Sequence, residues 1–525
     1  MNAPAPPPFV PVKHRGLITV SVMAAMIMQI LDMTIANVAL PHMQASLGAA
    51  QDTITWVLTS YIVAAAIATP ITGWLADNIG RKNLFMICVV GFVVSSALCG
   101  TAFSLGEMVF FRLLQGAFGA ALAPLSQSVI LDINPPQNRG QAMAIWGAGI
   151  MVAPIIGPTI GAWLTEDFNW RWVFYINIPV GIAALAGIFL FMPDTVRRIR
   201  RFDFFGFAML SLAVGALQFM LDRGAEQDWF SSGEIVAEGL IAVAAAWAFI
   251  VHTATDREPF LHRGLFTDRN FTTALVFIFV IGIILLATMA LLPPMLTNLL
   301  GYPVITVGLV LAPRGVGTMV SMLFVGRLVN KVEPRLLVLF GLSLTAYSLW
   351  EMTFFTADMG SWPIITSGVV QGFGLGFVFI PLSTIAFQTL SPALRTEASS
   401  LFNLVRNLGS SIGVSIMATM LTRNIATSHA SLSTHITPFN DTLITAGINP
   451  NTFGSDAGQQ TAAMVDGMIT SQAAMIAYLD DFRLMFWITL CAAPLLLILK
   501  HKPQTFGAPG ARPAEAQPAA AAMAD

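Results

Sequence analysis

Long apolar runs, each separated by a short polar stretch, repeat along almost the whole chain. A transmembrane helix needs roughly 20 apolar residues, and the pattern predicts about fourteen spans, the weakest of which opens with Glu234 and Glu238. An even number of spans puts both termini on one side of the membrane. The predicted runs lie near 17–40, 54–76, 84–104, 107–131, 141–164, 172–192, 204–221, 234–252, 271–293, 304–330, 336–357, 361–387, 400–421 and 484–500.

Lysine and arginine fall almost entirely on one set of alternate loops. The loops on the amino-terminal side hold clusters such as 81–82 and 197–201. Because these two residue types favour cytoplasmic loops, both termini are predicted to be cytoplasmic. The opposite loops carry only Arg171, Arg223, Arg423 and Arg483.

We predict two six-helix bundles joined by two extra helices. One connection, at about 424–483, is much longer than the rest, and its second part has apolar residues at helical spacing. That spacing indicates a helix on the outer membrane face, on a partner, or packed as a cap on the protein itself. The predicted parts are a disordered tail (1–16), the first bundle (17–192), a cytoplasmic loop with two extra helices (193–258), the second bundle (259–501) and a disordered tail (502–525).

Composition supports an all-α integral membrane protein. The 525 residues are 56% hydrophobic and 10% charged, whereas soluble domains carry about 25% charged residues. A net charge of −2 gives no basic surface for nucleic acid, and the cysteines (Cys88, Cys99, Cys491) match no metal spacing. The histidines are scattered and no nucleotide-binding P-loop is present, so we predict no metal, no cofactor and no direct ATP drive.

The loop after the second span, GWLADNIGRK, has features of a conformational latch. Gly73 and Gly80 allow a tight turn and close helix approach. Asp77 is able to pair with Arg81 or with a neighbouring helix end, and a breakable charged contact suits a switch between two packings. The alternative is a solvated turn whose charges only set topology.

Two charged residues are predicted deep in the first bundle. Asp32 lies about 13 Å from the outer end of span 1, and Arg112 about 8 Å from the outer end of span 4. Buried charge is costly in a membrane unless it is paired or hydrated. We therefore predict that the two meet and that Asp32 carries the proton, with Arg112 setting its affinity. The alternatives are a static salt bridge and an Arg112 that reaches the membrane surface.

The fifth span contains small residues and a proline at Gly157, Pro158 and Gly161. The glycines permit a close helix crossing, and the proline predicts a kink. Ordinary helix packing explains the same residues equally well.

Together these motifs resemble the major facilitator superfamily. Gly73, Asp77, Gly80 and Arg81 match its signature loop, and 326–335 is similar to a degraded second copy without the acid. Arg112, Gln115 and Gly116 match an RxxQG pattern that the family uses in proton coupling. Gly157, Pro158 and Gly161 match its antiporter motif, although Ala162 replaces the last glycine.

The segments 31–41, 170–181 and 259–271 resemble the fourteen-helix drug:proton antiporter branch. The resemblance implies a proton-coupled exporter of small amphipathic compounds (multidrug efflux, antibiotic resistance) in a bacterial inner membrane. It also implies a tripartite pump with a periplasmic adaptor (membrane fusion protein) and an outer-membrane channel. The alternatives are an exporter dedicated to one metabolite or toxin and, from another class, a polytopic membrane enzyme or receptor.

Further polar residues are predicted within the apolar spans, where a cavity between the bundles would need them. Buried arginines usually face a polar cavity, so Arg314 and Arg406 either bind an anionic substrate or brace the second bundle. The possible cavity residues are Asn37, Gln115, Arg314, Asn403 and Arg406.

Overall fold

The computed structural model describes residues 12–50, 53–195, 197, 199–436 and 456–497. Within these ranges all regular elements are helices, and each predicted apolar run corresponds to one helical unit. The first seven units are α1 (Arg15–Leu47), α2 (Trp56–Ala68 and Thr72–Ile79), α3 (Arg81–Thr101), α4 (Leu105–Gly119 and Leu122–Ile133), α5 (Arg139–Ile150 and Val152–Asp167), α6 (Trp172–Tyr175 and Asn177–Phe191) and α7 (Phe204–Arg223).

The remaining units form the second part of the chain. Most of the two predicted tails, residues 1–11 and 498–525, and the segment 437–455 lie outside the described residues. The units are α8 (Gly233–Thr255), α9 (Arg269–Pro294), α10 (Val304–Leu328), α11 (Pro334–Met352), α12 (Ser361–Gln388), α13 (Arg395–Ser433) and α14 (Asp456–Ala492).

Length and apolar composition mark most of these units as membrane spans. Of the described helices, eleven are long and apolar enough to cross a membrane, and the two segments of α2, which meet at 58°, would make twelve. The two other units, α11 and α14, occupy the places of the predicted eleventh and fourteenth spans. The all-α membrane fold is therefore confirmed, with a count close to the fourteen expected.

Prolines account for several interruptions within the helices. Pro70 lies at the bend of α2, and a proline inside a helix removes one hydrogen bond and clashes with the carbonyl four residues earlier. Pro154 and Pro179 follow the breaks at Met151 and Ile176 in the same way. The helix runs without a break through Pro158, so the interruption of α5 lies one to two turns before the predicted kink.

The long connection between the last two spans differs from its prediction. α13 continues to Ser433 and α14 already begins at Asp456, so the apolar helical pattern there belongs to the last span's own helix. Val465 and Ala473 are buried, and His429 contacts Asp466 at 2.9 Å. The helix that contains the predicted last span thus begins well before 484, and its first part packs on α13, as in the predicted alternative of a cap on the protein itself.

Among the described residues, most contacts between the two halves lie toward one end of the molecule. We call the end at which α1 begins the N-side, and the opposite end the far side. One large apolar cluster joins both halves on the N-side, including Phe85, Trp146, Val325 and Phe402. Toward the far side the core divides into two clusters, one within 31–176 and one within 284–485. The halves therefore diverge from a closed N-side.

The two extra helices lie at the edge of this arrangement. α7 packs against α2 and α13, and the Ser415 hydroxyl donates to the Leu221 carbonyl at 3.0 Å. α8 packs mainly on α7 and exposes large apolar side chains, among them Val243 (71%) and Trp247 (68%). Such an apolar surface fits lipid and not water.

Candidate functional site

The predicted pairing of Asp32 with Arg112 is present in the structure. Arg112 Nη1 lies 2.6 Å from Asp32 Oδ2, and the two residues are 0% and 1% exposed. The other carboxylate oxygen accepts from Gln115 Nε2 at 2.8 Å and from Asn177 Nδ2 at 2.7 Å. The carboxylate of α1 is thus held by donors from α4 and α6.

Arg112 is enclosed as completely as its partner. Its Nε donates to the Val57 carbonyl at 3.1 Å, and its guanidinium lies 4.3 Å from the centre of the Tyr61 ring. Gly116 makes this possible, because a Cβ there would lie 3.1 Å from the Cβ of Ala64 and against the Tyr61 carbonyl. An Arg112 that reaches the membrane surface is excluded by this burial.

The pairing of Asp32 with Arg112 offsets the energetic cost of burying either charge. An arginine stays ionised at any physiological pH, and one acid beside it keeps the sum of the two charges at zero. Each carboxylate oxygen has at least one donor, which buried ion pairs require. Both side chains are buried, so the pair is shut off from solvent in this structure.

The glycines of α5 place that helix directly against α1 beside Asp32. A Cβ at Gly157 would lie 2.9 Å from the Cβ of Thr34, and one at Gly161 would lie 3.2 Å from Ile35 Cγ2. Leu31 and Ile35, which flank this contact, are buried. The two glycines therefore fix how α1 presents its carboxylate, whatever else they do.

The predicted loop after the second span is helical up to Ile79, and this second segment of α2 and its junction with α3 contact the other half. A Cβ at Gly73 would lie 2.9 Å from the Cα of Glu397 in α13, and Gly80 has a positive φ of 88°, which favours glycine. Asp77 lies 3.5 Å from Arg200, which also contacts Glu397 at 3.1 Å. Charges from three segments thus converge at this junction.

Arg81 belongs to a second charged group in the same place. It forms an ion pair with Asp132 at the end of α4, and Arg395 of α13 contacts the other oxygen of Asp132 at 2.5 Å. The Arg81 amide donates to Thr195 at 2.9 Å. One carboxylate therefore bridges an arginine of each half.

The degraded copy at 326–335 makes the reciprocal contact. Asn330, at the position that matches Asp77, donates to the Gln137 carbonyl at 2.7 Å, and a Cβ at Gly326 would lie 3.5 Å from the Cα of Gln141. The copy therefore touches the first half as the first loop touches the second. Its amide forms a neutral contact where Asp77 forms a charged one.

Polar side chains extend the closure inward. The hydroxyl oxygens of Ser128 and Thr396 lie 3.0 Å apart. The side-chain oxygen of Gln127 accepts from the Ser399 hydroxyl at 2.6 Å and from the Asn403 amide at 3.2 Å. We call this whole N-side contact the seam. It comprises Gly73, 126–132 and 137–147 of the first half and 322–330 and 395–403 of the second.

The predicted cavity residues do not form one cluster. Gln115 belongs to the buried network around Asp32, and Asn403 belongs to the seam. Asn37 is exposed on α1. Arg314 is 7% exposed and donates to the Leu285 carbonyl at 3.3 Å, while Arg406 is partly exposed. Within the described residues, no three His, Cys, Asp or Glu side chains form a group able to hold a metal ion.

Several contact residues were not singled out from the sequence. Asn177 lies among apolar residues near the start of α6, and only its position beside Asp32 reveals its role as a donor. Asp132, Arg200 and Glu397 lie at span ends, where charges are ordinary. Their pairing depends on how closely the halves approach, which no local pattern records.

Comparison with known proteins agrees with this architecture. The chain is 37% identical over 494 residues to the fatty acid resistance protein FarB of Neisseria gonorrhoeae, covering 93% of this chain and 97% of that protein. It is 36% identical over 501 residues to the multidrug export protein EmrB of Escherichia coli K12, covering 94% and 96%.

The fold matches solved transporters at low sequence identity. The human organic anion transporter MFSD10 (TETRAN) superposes with a TM-score of 0.59 and 16% identity, covering 91% of this chain and 99% of that one. Residues 22–414 match the family model described as the Major Facilitator Superfamily. These matches and the paired halves lead to one assignment: the chain is a multi-pass membrane protein that belongs to the major facilitator superfamily of transporters.

Proposed function

We propose that this transporter exports small amphipathic compounds in exchange for protons. The observation that carries the proposal is the enclosed Asp32–Arg112 pair, whose four-residue network leaves the carboxylate inaccessible while the seam is closed. A proton site that is sealed in one conformation and open in another is what coupled exchange requires. Gly157 and Gly161, the glycines that match the antiporter motif, pack beside Asp32 and also support export in exchange for protons.

Protonation of Asp32 changes the balance of this network. The neutral acid no longer offsets the charge of Arg112, and its hydroxyl becomes a donor among the donors Arg112, Gln115 and Asn177. The contacts among α1, α4 and α6 weaken, which lowers the cost of moving these helices. Substrate binding that favours the deprotonated arrangement then completes a cycle, since two ligands that prefer different states are coupled reciprocally.

The seam supplies the second element of the cycle. Breaking the contacts of Asp77, Asp132 and Glu397 would open the N-side, and their remaking would close it again. We infer that this charged group sets the populations of the two states without binding substrate. Its position at the helix ends, away from the middle of the bundle, supports that role.

Relatives indicate two ranges of substrate. EmrB is named for multidrug export and FarB for fatty acid resistance. Both names fit amphipathic compounds, so broad export is our first proposal and an exporter dedicated to one compound is the second. A transporter with one substrate would accumulate a single member of a chemically varied panel.

Orientation and partners complete the proposal. The loop charges support an N-side that faces the cytoplasm of a bacterial inner membrane. Reporters fused after residues 200 and 265 are expected to read cytoplasmic, and one within 430–470 periplasmic; a cytoplasmic signal from the last would contradict this orientation. The far-side ends of α13 and α14 would then meet a periplasmic adaptor that leads to an outer-membrane channel.

The direct test uses purified protein in liposomes with an imposed pH gradient. We expect an amphipathic fluorescent compound to accumulate while the gradient lasts and to leak out when nigericin collapses it. Empty liposomes control for passive partition of the compound. Accumulation that persists after collapse of the gradient, or that needs ATP, would contradict proton-driven exchange.

A further inference from the structure

The second half contains two deep arginines that lack the arrangement seen around Arg112. Arg314 lies in the middle of α10 and is 7% exposed, with one bond to the Leu285 carbonyl at 3.3 Å. Arg406 lies about three turns inside α13 and remains partly exposed. Within the described residues neither guanidinium forms an ion pair.

The buried acids of this half do not neutralise them. Glu397 contacts Arg200 in the seam. Asp481 is 1% exposed on α14, and neither of its carboxylate oxygens has a hydrogen-bond partner among the described residues. Both arginines are permanently charged, and among the described residues neither has a carboxylate within ion-pair distance.

Residues next to both arginines contact the first half, just beyond the seam. Asn403, one turn before Arg406, contacts Gln127 of the first half. Gly315, next to Arg314, packs against Ile155 of α5. Since α10 runs toward the N-side and α13 away from it, both arginines lie on the far-side edge of the closed region. Substrate sites of such two-part transporters lie near this depth, between the halves.

Local packing keeps Arg314 in place. A Cβ at Gly368 of α12 would lie 3.5 Å from the Cβ of Arg314, and one at Gly372 would lie 3.0 Å from its backbone carbon. Gln371 between them is fully buried and donates to Thr288 of α9 at 3.3 Å. These small and neutral residues surround the arginine without offsetting its charge.

We propose that Arg314 and Arg406 form the recognition site for the anionic group of an amphipathic substrate, a carboxylate or sulfonate attached to an apolar body. The bound anion supplies the counter-charge that this half lacks, through charge-assisted hydrogen bonds. The apolar body of the ligand then lies between the diverging halves. This inference rests on the proposed export function and names its substrate class.

The experiment compares three ligands with the same ten-carbon chain on full-length protein in nanodiscs. Radiolabelled decanesulfonate, decanamide and decyltrimethylammonium present an anionic, a neutral and a cationic head group on a similar apolar chain, and the sulfonate carries no proton across a bilayer. We expect the sulfonate to bind about tenfold more tightly than the amide, and the cation to bind most weakly. Equal binding of all three to the unmodified protein would overturn the proposal.

Variants identify the residues responsible. Arg314→Gln and Arg406→Gln should each lower sulfonate affinity about tenfold and leave amide affinity within about twofold. Arg406→Lys, which keeps the charge, should retain most of the sulfonate binding. If both glutamine variants weaken the three ligands equally, the arginines only brace the bundle and the proposal fails. If Arg314→Gln does not fold, the variants of the partly exposed Arg406 and the three-ligand comparison on the unmodified protein still test the proposal.

The outcome separates this inference from the proposed function. Ligand preference is measured at equilibrium without a pH gradient, so it stands even if proton-driven transport is absent. Conversely, gradient-driven accumulation of all three compounds without any preference would retain the exporter and reject the anion site.

Discussion

In the first half of the molecule, the buried Arg112 has a carboxylate, an amide and a carbonyl around it. In the second half, Arg314 has one carbonyl at 3.3 Å and Arg406 has no polar partner among the described residues. The halves share a fold and a pattern of loops, yet one contains its counter-ion and the other does not. A closed network suits a proton, whereas an unpaired charge suits a ligand that comes and goes.

The largest effect is expected where the closed network loses its acid. Asp32→Asn should abolish accumulation driven by a pH gradient, by about 100-fold or more, because no group remains to exchange the proton. Uphill uptake into liposomes measures this directly. Substrate binding at equilibrium should persist.

A double variant distinguishes coupling from a static bridge. Asp32→Asn with Arg112→Gln removes both charges and keeps a polar side chain at each position, so it avoids the cost of an unpaired buried charge, about 3–5 kcal/mol. If the pair were only structural, the double variant should recover transport. We expect a folded protein that equilibrates substrate and does not concentrate it.

The two signature loops offer the next comparison. Asp77→Asn makes the first loop match its copy, where Asn330 already occupies that position, and should cut exchange about 5- to 30-fold by shifting the state populations. Spin labels at the exposed Asn138 and Lys331 should report a longer N-side distance in this variant. Asn330→Ala is the matched control and should change the distance less. A loss of substrate affinity equal to the loss of transport would contradict a purely conformational role.

A smaller change would make the second half resemble the first. Gln371→Glu places an acid on the α12 turn that packs against Arg314, so it should compete with an anionic ligand and lower decanesulfonate affinity about tenfold. Decanamide affinity should stay constant, and Gln371→Met serves as the uncharged control. Tighter sulfonate binding in the glutamate variant would be inconsistent with an open cationic site.

The smallest effect concerns the far-side helices. Met464 and Met468 are 63% and 57% exposed on α14. Replacing both by serine should lower drug resistance in cells severalfold and leave uptake into liposomes unchanged, because the proposed adaptor would be present only in cells. Thr470→Ser, at another exposed position, is the control. Unchanged resistance with normal protein levels would remove the case for a partner on this surface.

Some of this could be predicted from sequence for physical reasons. Apolar runs fix the number of spans because lipid demands them, and depth along a span predicted that Asp32 and Arg112 meet. Asn177 was missed because an amide near the start of a span looks like an interfacial residue. The start of α14 was misplaced because its apolar side covers α13, and a helix packed on protein has the same pattern as one packed on a membrane.

The seam was less predictable for a different reason. Gly73 and Gly80 indicated close approach, and the structure supplies the partners, Glu397 and Thr195. Both partners lie far from these glycines along the chain, and the contacts of the seam form only when the N-side is closed. A sequence encodes both states at once, so contacts that belong to one state leave no separate pattern.

α13 connects regions that the preceding experiments treat separately. It starts in the seam at Arg395 and runs unbroken for 39 residues to Ser433, about 58 Å at helical rise. Such a helix acts as a lever: a tilt of about 10° at its seam end displaces the other end by about 10 Å. In the proposed cycle, opening and closing of the N-side would thus be converted into a movement on the opposite surface, where an attached partner would sense it without touching substrate or proton.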